Sequence, residues 1–182
     1  MVNKLKPKIE PFTENLARIM QRYPRIDGYL LNLFRVFANS ERFAEKAVPN
    51  LLDKDSPLSL RHREIAILRV TANRRCEYEW GIHVSLFAKA AKLTRQEVED
   101  TCSTVPNPDL WPERELNLMA VIDELLRSGS PSKEARTTFA EIWTAEQQLE
   151  ILALCGTYST ISFVANLSGL RNEPFAACFP VN

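Results

Sequence analysis

Apolar residues recur at three- and four-residue spacing along most of this chain, and strand-type alternation is scarce, so the pattern predicts an all-α protein. The strongest element is LRHREIAILRVTAN. Ser59, after Pro57, caps it; Ile65, Leu68 and Ala72 share one side, and Ile67 and Val70 widen the buried face. A break at Asn73-Arg74-Arg75 precedes a second helix, from Cys76 to about Lys92. Thr94-Arg95-Gln96-Glu97 reads as a capping box for a short helix. Pro106, Pro108 and Pro112 mark a loop, and a longer helix follows from about Glu113 to Arg127, ending at Gly129. Pro131 and Ser132 open another short helix. A second capping box, Thr144-Ala145-Glu146-Gln147, opens a long C-terminal helix over about 144–169. Towards the N-terminus, Asp27 is placed to cap a helix carrying Leu30, Leu31, Leu33, Phe34 and Phe37. Ser40 caps the next, through Phe43, Ala44 and Ala47, with Pro49 near its end. The tail, with Pro174 and Pro180, reads as irregular. No linker or low-complexity stretch divides the chain, so 1–182 is expected to form a single domain.

Composition narrows the function classes. A chain of 182 residues, 45% of them hydrophobic, is long enough for a real core. Its 23 basic and 23 acidic residues cancel and form no basic block, which argues against a nucleic-acid partner. The N-terminus lacks the apolar core of a signal peptide. The richest apolar stretch, Leu149 to Leu167, is interrupted by Thr157, Ser159, Thr160 and Ser162, so a membrane span is not expected. Cys76, Cys102, Cys155 and Cys178 form no CxxC pair and no disulfide framework; reduced thiols in the cytoplasm are the default.

The candidate chemistry lies in Cys76-Glu77-Tyr78-Glu79-Trp80-Gly81-Ile82-His83. Cys76, Glu79 and His83 fall at i, i+3 and i+7, on one helix face, and His83 is one of two histidines. The helix start and the neighbouring Arg74 and Arg75 favour a thiolate at Cys76. Glu79, one turn before His83, can orient the imidazole and stabilise its protonated form. Glu64, on the preceding helix, joins the set if the two helices form a tight antiparallel hairpin. Arg61 or Arg63 can hold a substrate carboxylate, and Trp80 is a candidate substrate contact. The plainer reading is a buried cysteine, a surface Glu–His pair, surface arginines and packing roles for Tyr78 and Trp80. His62 reads as solvated, Trp111 and Trp143 as packing anchors, and Cys102, Cys155 and Cys178 as structural.

The run from Leu58 to Arg69, then Cys76-Glu77-Tyr78-Glu79-Trp80 with His83, then Leu93 to Val98, resembles the core of the carboxymuconolactone decarboxylase-like superfamily, which includes alkylhydroperoxidase D. The resemblance spans about 57–100, and Tyr158, Asn166 and Glu173-Pro174 resemble one of its subgroups. It implies an all-helical bundle with a central helical hairpin, a small-molecule substrate, and homo-oligomers: dimers, trimers or hexamers. Alkylhydroperoxidase D-like relatives carry CxxC followed by histidine, with an upstream glutamate. Here Glu64, Cys76 and His83 fill three of those places, and Glu79 replaces the second cysteine, so a two-cysteine peroxidase cycle is not available. The decarboxylase branch carries glutamate and histidine four apart, as Glu79 and His83 are. Lys92 stands where the family usually has glycine.

The expectation is acid–base chemistry (decarboxylation, isomerisation or a related proton transfer) by His83, Glu79 and Glu64, with Cys76 lining the pocket and no cofactor or metal. The alternatives are a single-cysteine hydroperoxidase using Cys76, a metal site of Glu64, Cys76, Glu79 and His83, or a non-enzymatic module assembling through Phe34, Phe37 and the final helix.

Overall fold

The computed structural model describes residues 4–181. Among them are nine helices and one two-residue β-hairpin: α1 Glu14–Met20, β1 Arg25–Ile26, β2 Tyr29–Leu30, α2 Asn32–Phe37, α3 Glu41–Lys46, α4 Leu60–Asn73, α5 Glu77–Phe87, α6 Arg95–Asp100, α7 Glu113–Ser128, α8 Lys133–Ile142 and α9 Ala145–Ser168. The all-α expectation holds.

Helix α4 is the centre of the bundle and packs against α5, α7 and α9. Every side chain from Glu64 to Thr71 is buried. Ile65, Ile67 and Leu68 are fully enclosed, each contributing about 1.5–3 kcal/mol of burial. Capping fixes where the helices begin. The Ser59 hydroxyl accepts the His62 N–H at the start of α4, and Thr94 and Thr144 form the two capping boxes of α6 and α9. Left-handed Gly129 and Gly169 end α7 and α9.

Several expectations are corrected. Asp27 does not cap a helix. With Gly28 it forms the turn between β1 and β2, both residues at positive φ (50° and 82°), the Asp-Gly signature of a tight hairpin. Helix α2 therefore starts at Asn32, after Leu30 and Leu31. Helix α5 stops at Phe87, and turns follow to Lys92, whose φ of 56° supplies the left-handed bend that a glycine would make at less cost. Helix α1 had no sequence signal. Phe34 and Phe37 belong to an aromatic cluster with Tyr23 and Phe43 rather than to an outward face. His62 is half-buried, edge-on to Trp143 at 5.0 Å.

The tail is irregular but anchored. Glu173 is buried and accepts from the Tyr78 hydroxyl at 2.7 Å and the Asn32 N–H at 2.9 Å. The Ala177 N–H donates to the Gly81 carbonyl, and a Cβ on Gly81 would stand 2.0 Å from the Ala177 oxygen. Only glycine lets the tail lie this close on α5. Helix α9 is long and apolar enough to cross a membrane, the one such helix among the described residues, but half of that stretch is buried inside the bundle, as in a core helix.

Candidate active site

The site forms where α4, α5 and α9 meet. Helix α4 brings Glu64 from its second turn. Helix α5 has no solvent face in its first half, since Tyr78, Glu79, Trp80, Gly81, Ile82 and His83 are all buried. Enclosure of a whole helix end is what carries Glu79 and His83 inside. Helix α9 adds Tyr158 and, one turn on, Ser162, both on the face it buries.

His83 sits at the centre, 3% exposed. Its Nδ1 lies 2.7 Å from Glu64 Oε2, and its Nε2 lies 3.1 Å from the Tyr158 hydroxyl. Glu79 Oε1 is 3.5 Å from the same Nε2, too long for a hydrogen bond but close enough for a charge pair. The Tyr158 ring meets the imidazole edge-on, and Phe87, one turn further along α5, lies tilted against it at 5.2 Å. Burial alone would pull the imidazole pKa down; the charge and hydrogen bond of Glu64, then the nearby carboxylate of Glu79, overcome it and push His83 up to about 9. At neutral pH His83 is an imidazolium, with Nδ1–H donating to Glu64 and Nε2–H directed at Tyr158. Tyr158 is held well above the usual phenol range, first by burial and then by the two carboxylates, and stays a phenol.

The remaining oxygens of the two acids are exceptional. Glu64 Oε1 and Glu79 Oε2 are buried with no hydrogen-bond donor among the described residues. Arg63 Nε, 3.8 Å from Glu64 Oε1, is equally buried and without a hydrogen-bond partner. Orphaned buried polar atoms are rare and costly. Their grouping around one imidazole leaves room in the hydrogen-bond scheme for a polar ligand.

Glu64, Glu79 and His83 thus come together as the sequence suggested. Cys76 is nearby but differs from expectation. It is the N-cap of α5 and fully buried, and burial pushes its thiol up to about 11, with the Glu79 carboxylate adding to the effect. The Glu79 backbone and the Ser162 hydroxyl offset only part of this. The arginines expected to favour a thiolate do not help: Arg74 turns to Ser159 and the Leu126 carbonyl, and Arg75 points to solvent. Arg61 is not at the site. Its guanidinium is committed to Glu115 and Glu97 and to the Lys92 carbonyl, tying α4 to α6 and α7. Trp80 also points elsewhere, donating to Thr101 Oγ1 at 3.0 Å and packing on Phe179. Among the described residues, no group of three His, Cys, Asp or Glu side chains converges as metal ligands would.

Tyr158 is the residue that spacing alone did not identify. The signals available were its place in the subgroup resemblance and the run of Thr157, Ser159, Thr160 and Ser162 that interrupts an otherwise apolar helix.

Comparison with known proteins agrees with this architecture. No curated protein matches the chain. The crystal structure of an uncharacterized peroxidase-related protein from Silicibacter sp. TM1040 is similar, with a TM-score of 0.73 over 94% of this chain and 93% of that one, at 14% identity. At that identity the likeness concerns the fold. Residues 37–124 match the model of the carboxymuconolactone decarboxylase family, a stretch that includes Glu64, Cys76, Glu79 and His83 but not Tyr158. The segment that builds α4 and α5 and carries Glu64, Glu79 and His83 is thus similar to the carboxymuconolactone decarboxylase family.

Proposed function

We propose that this protein is an enzyme that moves protons next to a carbonyl group in a small carboxylated substrate, by acid–base chemistry. The observation that carries the reading is the His83 imidazole held between Glu64 and Tyr158, beside a Glu79 oxygen that has no donor. An acid and a base side by side, with opposite charge, match the two halves of such a transfer. Glu79 takes the proton from the carbon next to the carbonyl. His83 gives its Nε2 proton to the enolate oxygen, and Glu64 holds the ring and its positive charge throughout. Return of a proton to carbon gives an isomer; in a β-keto acid, loss of carbon dioxide in place of the proton sends the C–C bond electrons to the same carbonyl oxygen, His83 protonates it, and a proton returned to carbon completes decarboxylation. Arg63, whose buried Nε pairs with Glu64 at 3.8 Å but makes no hydrogen bond, would meet a substrate carboxylate.

The single-cysteine hydroperoxidase reading has less support, because a thiol pushed up to about 11 leaves little thiolate at neutral pH. Assembly into a homo-oligomer is part of the proposal. Leu149, Leu152, Phe163 and Leu167 are exposed along α9, an apolar face that a second copy would cover.

The test is deuterium exchange by NMR. Carboxylated lactones and β-keto acids are incubated in heavy water with the protein, and loss of the signal from the carbon next to the carbonyl is followed. Exchange catalysed by the wild type and abolished in His83→Gln, at unchanged helix content, supports the reading. Exchange that survives His83→Gln sinks it.

A further inference from the structure

A second feature lies beyond the far end of α4 from Glu64. A cavity of about 700 Å³ opens between the end of α4, the turn that follows α6, the last turns of α7 and the tail. Its inner wall is Arg69, buried and fully engaged. The guanidinium grips both oxygens of Asp123, at 2.7 and 2.5 Å, and donates to the carbonyls of Thr101 and Ser103. Asn73 donates to the same Asp123 carboxylate at 2.9 Å. The one acid of the cavity is therefore already neutralised.

Two further guanidiniums line the cavity, Arg75 and Arg127. Both are exposed, and neither has a hydrogen bond or ion pair among the described residues. Three cations against one carboxylate leave the cavity positive in a chain whose net charge is zero. Arg75 also holds a left-handed backbone, φ 52°, where glycine or asparagine would sit at less cost. The Ser103 and Thr104 hydroxyls reach the same space with no partner of their own. Phe179 and Pro180 close one side with an apolar wall.

We propose that this cavity binds a small organic anion. A phosphate or carboxylate head lies between Arg75 and Arg127, with the Ser103 and Thr104 hydroxyls donating to it. The apolar body of the ligand rests on Phe179 and Pro180. The site is separate from His83 and does not depend on the reaction there.

Calorimetric titration of the full chain with phenyl phosphate at low salt tests this, with inorganic phosphate as the head-only probe. Saturable one-to-one binding is expected, with phenyl phosphate about tenfold tighter than inorganic phosphate. Arg75→Gln and Arg127→Gln, both at exposed positions, each weaken binding about tenfold. Phe179→Ala brings phenyl phosphate to the level of inorganic phosphate, and His83→Gln changes neither. Benzoate binding in place of phenyl phosphate keeps the site and assigns it to a carboxylate. Absence of saturable binding to all three probes overturns the proposal. So does wild-type affinity in the double arginine variant, or loss of binding in His83→Gln.

Discussion

Glu64→Gln separates charge from geometry at the centre of the site. The amide keeps an oxygen able to accept the Nδ1–H of His83, at the 2.7 Å now observed, but carries no negative charge. Burial pulls the His83 pKa down, and Glu64 is the largest of the influences that bring it to about 9. A buried hydrogen bond to a charged group is worth about 1.5–3 kcal/mol, and about 1.4 kcal/mol moves a pKa by one. Losing the charge should therefore lower His83 by roughly one to two, to roughly 7–8. Only two histidines are present, and His62 is displaced the other way, downward, by burial and then by Arg114. Imidazole proton shifts followed by NMR over roughly pH 5–10 thus resolve two separate titrations. Stability gives an independent reading. A pKa raised on folding adds stability that is complete below the unfolded value of about 6.5 and is lost as pH rises through about 9. In Glu64→Gln that loss should be smaller and end nearer neutrality, as urea melts across the same range would show. A variant whose His83 still titrates near 9 would refute the assignment of Glu64 as the group that holds the proton.

Four further outcomes follow from the same structure. Tyr158→Phe removes the hydroxyl 3.1 Å from Nε2 and should cut catalysed exchange about 10–100-fold while changing stability by no more than about 1.5 kcal/mol; unchanged exchange would remove Tyr158 from the machinery. Cys76→Ala should retain exchange within a few-fold, and iodoacetamide mapping of the native protein should label exposed Cys178 well before buried Cys76 and Cys155; rapid, selective labelling or peroxide oxidation of Cys76 would revive the hydroperoxidase reading. Gly81→Ala forces a Cβ against the Ala177 oxygen and should destabilise the protein by about 1–3 kcal/mol in a thermal melt, through the tail alone. Phe163→Glu with Leu167→Glu should dissociate any assembly built on the exposed face of α9, read by light scattering after size exclusion, and leave the monomer folded because both side chains already face solvent.

Much of the fold was legible because it is written in short-range chemistry. The starts of α4, α6, α8 and α9 are set by Ser59, Thr94, Ser132 and Thr144, whose hydroxyls cap the backbone within three residues. The ends of α7 and α9 need a left-handed residue, and glycine stands at both. The misreading at Asp27 has the same local origin. Aspartate caps helices and also opens hairpin turns, and only the Gly28 that follows it, with the backbone it permits, decides between them. Helix α1 stayed hidden because Thr13 makes no side-chain capping bond and seven residues carry too few turns for periodicity to show.

The site was legible to the extent that one helix could carry it. Glu79 and His83 are neighbours by helical spacing, and Glu64 needed only that α4 and α5 fold back on each other. Tyr158 depends on where α9 crosses that pair, 75 residues further along the chain, and no local pattern encodes such a crossing. The misjudged side chains have one cause. Arg61 was expected to meet a substrate carboxylate and Arg74 to act on nearby Cys76, whereas their partners come from elsewhere in the chain: Glu97 and Glu115 for one, Ser159 and Leu126 for the other. With Arg74 engaged and Arg75 exposed, Cys76 is left buried beside the Glu79 carboxylate, and its thiol rises instead of falling. The same packing that raises the thiol pKa keeps water from Glu79 and His83, and a low-dielectric setting strengthens their interaction. Burial of this helix end therefore supports the proposed proton transfer by the acid–imidazole pair over thiol chemistry at the cysteine beside it.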